Sequence, residues 1–173
     1  MKFDSSIVQT HYSSPLGVMM LAATHAGLAG VWFEGQRHLP QELASESTWP
    51  IEVCHPILIK TALQLAQYFA GQRKTFDVPL DLSGGTEFQQ SVWQALLTID
   101  PGQTSSYSNV SKTIGNPAAV RAVGAAIGRN PVSIIVPCHR VLGADGSMTG
   151  YAGGLDRKTA LLSLEGVLLE TLF

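Results

Sequence analysis

The stretch Ile134-Ile135-Val136-Pro137-Cys138-His139-Arg140-Val141 governs how the rest of the chain is read. Its apolar run reads as a short buried strand that stops at a proline. Pro137 biases Val136 toward extended backbone. A thiol, a titratable base and a permanent cation then follow in succession. Both neighbours favour a thiolate at Cys138, and a strand end is a place where a reactive sulfur is presented. The competing reading is that a lone cysteine is a small buried hydrophobe. Adjacent side chains rarely face each other, so His139 is expected to reach the sulfur through a water or a turn of the chain. Glu165 offers a carboxylate to orient the imidazole, at the end of a helix that starts near Leu155 and just before Gly166. An acid is unfavourable at a helix C-terminus, which suggests that Glu165 has a role other than decorating the surface.

Upstream of the octet the spacing is helical. Thr86 and Gln89 fit a capping box, and Phe88, Val92, Ala95, Leu96 and Ile99 line one face up to Pro101-Gly102. A short helix is expected from Ser108 to Ile114, ended by Gly115. Asn116-Pro117 would cap the next, over Ala118 to about Gly128. Two short helices around Gly115-Asn116 suggest a helix-turn-helix. The second is rich in alanine: Ala118, Ala119, Ala122, Ala125 and Ala126. A small surface suits tight helix packing first, and entry into a narrow nucleic-acid groove second.

The first half reads as α+β. Ser13 to Gly17 is a turn, and Val18–Ala23 with Leu28–Phe33 form a hairpin around His25-Ala26-Gly27. A weak helix is expected near Gln41–Ser45. A firm one spans Pro56 to Ala70, stopped by Gly71. A strand is expected over Phe76–Leu82. Ser83-Gly84-Gly85 marks the boundary between lobes 1–83 and 84–173.

At 173 residues and 45% hydrophobic, the chain can bury a real core. Two cysteines make no disulfide framework, and Met1–Thr10 is too polar for a signal sequence. A reduced cytoplasmic setting is expected, without membrane association. The net charge of −2 argues against a general polyanion binder. Yet from Pro101 to Arg140 the charged residues are Lys112, Arg121, Arg129 and Arg140, with no acid among them. A locally cationic surface could therefore meet phosphates.

Pro137-Cys138-His139-Arg140-Val141 resembles the acceptor-cysteine motif of the O6-alkylguanine-DNA alkyltransferases, in their constitutive bacterial form. The resemblance extends in order through Phe88–Trp93, Pro101-Gly102-Gln103-Thr104 with Ser106-Tyr107, Gly115-Asn116-Pro117, Arg121–Ala126, Asn130-Pro131, Thr149–Gly154 and Leu161-Leu162 to Glu165-Gly166. It implies an N-terminal α/β lobe with a small antiparallel sheet of ribonuclease H-like kind, and a mostly helical C-terminal lobe with the helix-turn-helix. It implies a DNA repair protein that is consumed once per lesion. Cys138 would take the alkyl group from O6-alkylguanine, and also from O4-alkylthymine. His139 would act as a water-mediated base oriented by Glu165, and Tyr107 would donate to the departing guanine. Arg121 would fill the gap left by the flipped base. Ala119, Ala122, Lys112 and Arg129 would contact the double-stranded DNA. Asn130 would tie the recognition helix to the active-site loop. Arg140, Val141, Tyr151, Ala152 and Gly153 would shape the pocket. No cofactor or metal is implied, and the protein is expected to be a monomer.

One position departs from the pattern: Ala152 stands where many relatives carry serine, so a hydroxyl contact to the lesion is absent. Three rivals remain. An alkyltransferase-like lesion binder would replace the acceptor cysteine, which is present here. A metal site is opposed by the spacing of Cys54-His55 and Cys138-His139, which does not match zinc ligation. A Cys-His-Glu thiol hydrolase lacks an evident oxyanion-hole motif.

Overall fold

The computed structural model describes residues 1–44 and 49–168. They divide into two compact units, one of Met1–Thr86 with Pro131–Ser133, the other of Glu87–Asn130 with Ile134 onward.

The first unit is built on an antiparallel sheet in the order β1 (Val8–Ser14), β2 (Gly17–Ala23), β3 (Leu28–Phe33). The expected hairpin is β2–β3, and every residue of β3 is buried. Strand β1 had no apolar signal because it is a polar edge strand, yet it pairs with β2 along its whole length. Its buried Gln9 is satisfied by donating its side-chain amide to the Trp49 carbonyl at 2.9 Å. Phe3, Trp32 and Trp49 stack edge-on and tilted over one sheet face. Helix α1 spans Gln41–Ala44, and the last residue of the expected weak helix, Ser45, lies outside the described residues. Helix α2 (Pro56–Phe69) buries Leu58, Leu65 and Tyr68, as its spacing requires.

No strand forms over 76–82. Gln64 takes the backbone of Asp77 in both directions, accepting from its N–H at 2.8 Å and donating to its carbonyl at 3.3 Å. Pro79 has no N–H to offer a ladder. Within that segment only Leu80 bridges the free edge of β3, at Leu28. Further along that edge, Val31 donates to Pro131 O at 2.8 Å and accepts from Ser133 N at 2.9 Å.

The second unit contains α3 (Glu87–Leu96), α4 (Tyr107–Thr113), α5 (Val120–Gly128) and α6 (Leu155–Leu164). Trp93 of α3 is fully buried and donates its indole N–H to Ala126 O of α5 at 2.9 Å. Ser106 caps α4 by accepting from Asn109 N. Gly115 (φ 72°) then closes that helix: its N–H reaches Lys112 O while Asn116 N reaches Ser111 O. Helix α5 begins two residues later than expected, because Ala119 N bonds to Asn116 O. Pro117 thus sets a turn rather than the first helical residue, and Asn116 provides no side-chain cap. A two-residue parallel pairing of β4 (Ser105–Ser106) with β5 (Val141–Leu142) places the start of α4 beside the Cys138 segment. No helix among the described residues is long and apolar enough to cross a membrane.

Candidate active site and candidate nucleic-acid interface

The apolar run before Cys138 is a buried turn rather than a strand. Ile134 carries φ 72°, a left-handed conformation rare for a β-branched residue, and it breaks any extended run. Cys138, His139 and Arg140 form a single turn of 3₁₀ helix. All three are buried, at 4%, 0% and 5% exposure. That turn sends the Cys138 sulfur to Asn130, and His139 and Arg140 together to Glu165.

Asn130, just past α5, donates its amide to Val136 O at 2.8 Å and to Cys138 Sγ at 3.0 Å. It pins the turn and the sulfur together. His139 Nε2 lies 2.9 Å from Glu165 Oε1. Arg140 forks onto the same carboxylate, with Nε to Oε2 and Nη2 to Oε1, both at 2.8 Å. Its third nitrogen donates to Ile99 O at 2.5 Å. Glu165 is placed at the cap of α6 by Gly166 (φ 76°), whose N–H bonds Ser163 O while Val167 N bonds Leu162 O.

Burial disfavours the charged carboxylate, but hydrogen bonds from His139 and Arg140 outweigh it and hold Glu165 well below the usual range. Glu165 is therefore an acceptor, and the His139 proton sits on Nε2. His139 Nδ1 is then a bare lone pair, buried with no hydrogen-bond partner. Burial also pulls the imidazole below its ordinary value, so it is neutral. The Cys138 thiol is pushed up by burial, with the Asn130 amide and the Lys158 ammonium pulling the other way. The expectation that His139 and Arg140 supply the positive field at the sulfur is thus corrected. The imidazole is neutral, and Arg140 is committed to Glu165.

The cation acting on Cys138 is Lys158, which sequence reasoning missed. It is fully buried on α6 and donates to Val141 O (2.6 Å), Thr149 O (2.8 Å) and Gly150 O (3.3 Å). No carboxylate pairs with it in these contacts, and burial lowers its pKa to about 8. The only sequence signal was its position three residues after Leu155 and three before Leu161, on the apolar face of the helix. Tyr107 shares two of the same acceptors, its hydroxyl donating to Thr149 O at 3.1 Å and Gly150 O at 3.5 Å. Tyr151 and Ala152 are half-buried just beyond, and Gly153 is buried with its carbonyl accepting from Arg157.

Three of the four cations in the acid-free stretch are exposed: Lys112, Arg121 and Arg129. Arg140 is not part of that surface. Helix α5 turns Val123, Ala126 and Ile127 inward. Arg121, Ala122 and Ala125 face solvent, with Ala118 exposed just before the helix, and Ala119 is half-buried at its cap. Packing, ranked first from composition, therefore occupies only Ala126 of the alanines named, and the small face is open. Among the described residues no group of three or more His, Cys, Asp or Glu could hold a metal. Cys54 is exposed.

Fold and site together define a protein organised around one buried thiol next in sequence to a buried imidazole held by a carboxylate, with a small-surfaced cationic helix in the same unit. Residues 87–167 match the model of the 6-O-methylguanine DNA methyltransferase DNA binding domain, and residues 7–82 that of the ribonuclease-like domain of the same protein. The methylated-DNA–protein-cysteine methyltransferase of Methanosarcina acetivorans is 47% identical over 156 residues, 90% of this chain and 96% of the relative. That of Mycobacterium tuberculosis is 48% identical over 159 residues, 90% and 92%. The crystal structure of the Mycobacterium tuberculosis protein OGT in complex with DNA superposes with a TM-score of 0.83 at 46% identity, covering 92% of this chain and 93% of that one. The chain belongs to the 6-O-methylguanine DNA methyltransferase family.

Proposed function

We propose that this chain repairs alkylated guanine in double-stranded DNA by moving the alkyl group from O6 onto Sγ of its own Cys138. The observation that carries the reading is Cys138 beside a buried imidazole whose Nε2 is held by Glu165 and whose Nδ1 is bare. Cys138 passes its proton to His139 Nδ1 through a water. The sulfur lone pair forms the S–C bond as the C–O6 bond breaks in line, and that electron pair leaves with guanine. Guanine receives a proton from the Tyr107 hydroxyl, which solvent restores, while His139 returns its proton to solvent. The products are neutral guanine and an alkyl thioether with no easy leaving route, so each molecule acts once.

The alkyl carbon is inaccessible inside a stacked duplex, so the nucleotide must flip, at a few kcal/mol of unstacking. The open small face of α5 suits close approach to a minor groove. Arg121 is exposed on that face, where it can fill the vacated stack. Lys112 and Arg129 reach phosphates, alongside backbone approach at Ala119 and Ala122. The Tyr151–Gly153 loop closes over the base, backbone groups at Cys138 and Val141 read its edge, and Ala152 leaves room for larger alkyl groups and for O4-alkylthymine. The protein acts as a monomer in a reducing cytoplasm, where Cys138 remains a thiol.

Intact-mass measurement after incubation with an O6-methylguanine duplex tests this. One methyl group located on Cys138, absent in Cys138→Ala, is expected. No mass change on folded wild-type protein overturns the reading, and binding of the lesion without transfer would make the chain a lesion binder.

A further inference from the structure

We propose that Arg140 is a positioning residue that keeps His139 an empty proton acceptor, by committing both oxygens of Glu165 to its own guanidinium. This rests on Cys138 being the alkyl acceptor with His139 as its base. A carboxylate alone beside an imidazole favours the imidazolium, and an imidazolium cannot accept the thiol proton. Here the carboxylate does not stand alone. Arg140 grips it through two parallel bonds at 2.8 Å, a planar fork that a lysine cannot reproduce.

The guanidinium is also fixed from behind. Its Nη1 donates to Ile99 O, at the end of the chain leaving α3, so it does not swing toward the sulfur. Arg140, His139 and the Glu165 side chain are 6%, 0% and 3% exposed, so solvent screens the trio weakly. The ionised pair Arg140–Glu165 presents little net charge to His139. The charged and titratable groups acting on the imidazole are Glu165 and Lys158 from the α6 segment and Arg140 from its own turn, with Cys138 adjacent. The two cations oppose a third positive charge there. Glu165 thereby orients Nε2–H without raising the basicity of Nδ1 so far that it is already occupied at neutral pH.

The test combines the pH dependence of single-turnover transfer from free O6-benzylguanine with nitrogen NMR of the His139 imidazole, in wild type, Arg140→Gln and Arg140→Lys. In wild type the imidazole is expected to be neutral and Nε2-protonated at pH 7. Its transfer rate should change less than about twofold between pH 8 and pH 6. In Arg140→Gln the His139 midpoint should rise by about one unit or more, and transfer should fall about tenfold over the same interval. Arg140→Lys keeps the charge but loses the fork, and should shift in the same direction by less. It carries the test by itself if the Gln variant does not fold. A charged His139 in wild type at pH 7 overturns the proposal. So does a uniform rate loss with an unmoved midpoint in either variant, which would mark Arg140 as merely structural. Failure of the underlying reading is distinct: wild type would then form no alkyl adduct on Cys138 at any pH.

Discussion

Lys158 offers a prediction whose size follows from its surroundings. Its ammonium is buried among three backbone carbonyls without a carboxylate, and its pKa falls from 10.5 to about 8. The native state therefore releases this proton before the unfolded chain does. Between about pH 8 and 10.5 the unfolded chain binds more protons, and this group's contribution to stability rises with pH across that window. Below pH 8 the full penalty of the buried charge is present. The displacement corresponds to about 3 kcal/mol at full weight, and screening near the exposed Thr149–Gly150 loop brings the expected figure to about 1–2 kcal/mol. Lys158→Met keeps the length and removes the charge. Urea unfolding of both proteins at pH 7.5 and pH 10, each in a Cys138→Ser background so that the thiol does not titrate, isolates the effect. The stability of Lys158→Met relative to its parent should decline by about 1–2 kcal/mol on going to pH 10. Tyrosine titration cancels in the difference. A relative stability that is the same at both pH values would refute a depressed Lys158.

Glu165 runs in the opposite sense. Its folded carboxyl lies below the ordinary value of 4.5, so its stabilisation is present above pH 4.5 and is lost as pH falls through the folded value. Acid titration of unfolding should show the gap between wild type and Glu165→Gln narrowing below pH 4.5, and a constant gap would contradict the pairing. Arg121→Ala should slow repair in duplex DNA about tenfold or more while barely changing reaction with free O6-benzylguanine, and an equal loss on both substrates would remove its role in the stack. Ala152→Ser should lower the rate for bulky adducts relative to methyl, measured by competition between the two lesions, and unchanged relative rates would show that the missing hydroxyl does not set alkyl preference.

What the sequence disclosed follows from where each signal resides. Helix α2 and the β2–β3 hairpin were legible because their apolar spacing matches the faces they bury. The pairing of His139 with Glu165 was legible because Gly166 marks the helix end that carries the acid. Strand β1 was silent because a polar edge strand is stabilised by backbone pairing and by one glutamine finding a distant carbonyl. The segment 76–82 alternates like a strand, but Gln64, on a helix thirteen residues earlier, takes both backbone groups of Asp77. The run before Cys138 has strand composition and turn geometry, because Ile134 turns left-handed and Asn130 holds the Val136 carbonyl. Lys158 escaped notice because a long cationic side chain ordinarily carries its charge to solvent.

The free edge of β3 has a consequence for synthesis. Val31 acquires its second main-chain partner only from Pro131 and Ser133. At about 5–20 residues per second, a ribosome adds the intervening roughly one hundred residues in about 5–20 s. Throughout that interval an apolar strand is left with unpaired N–H and C=O groups along part of its rim. The nascent chain is therefore most prone to mispairing with another copy before Cys138 has been made, and a chaperone that shields strand edges would act in that window.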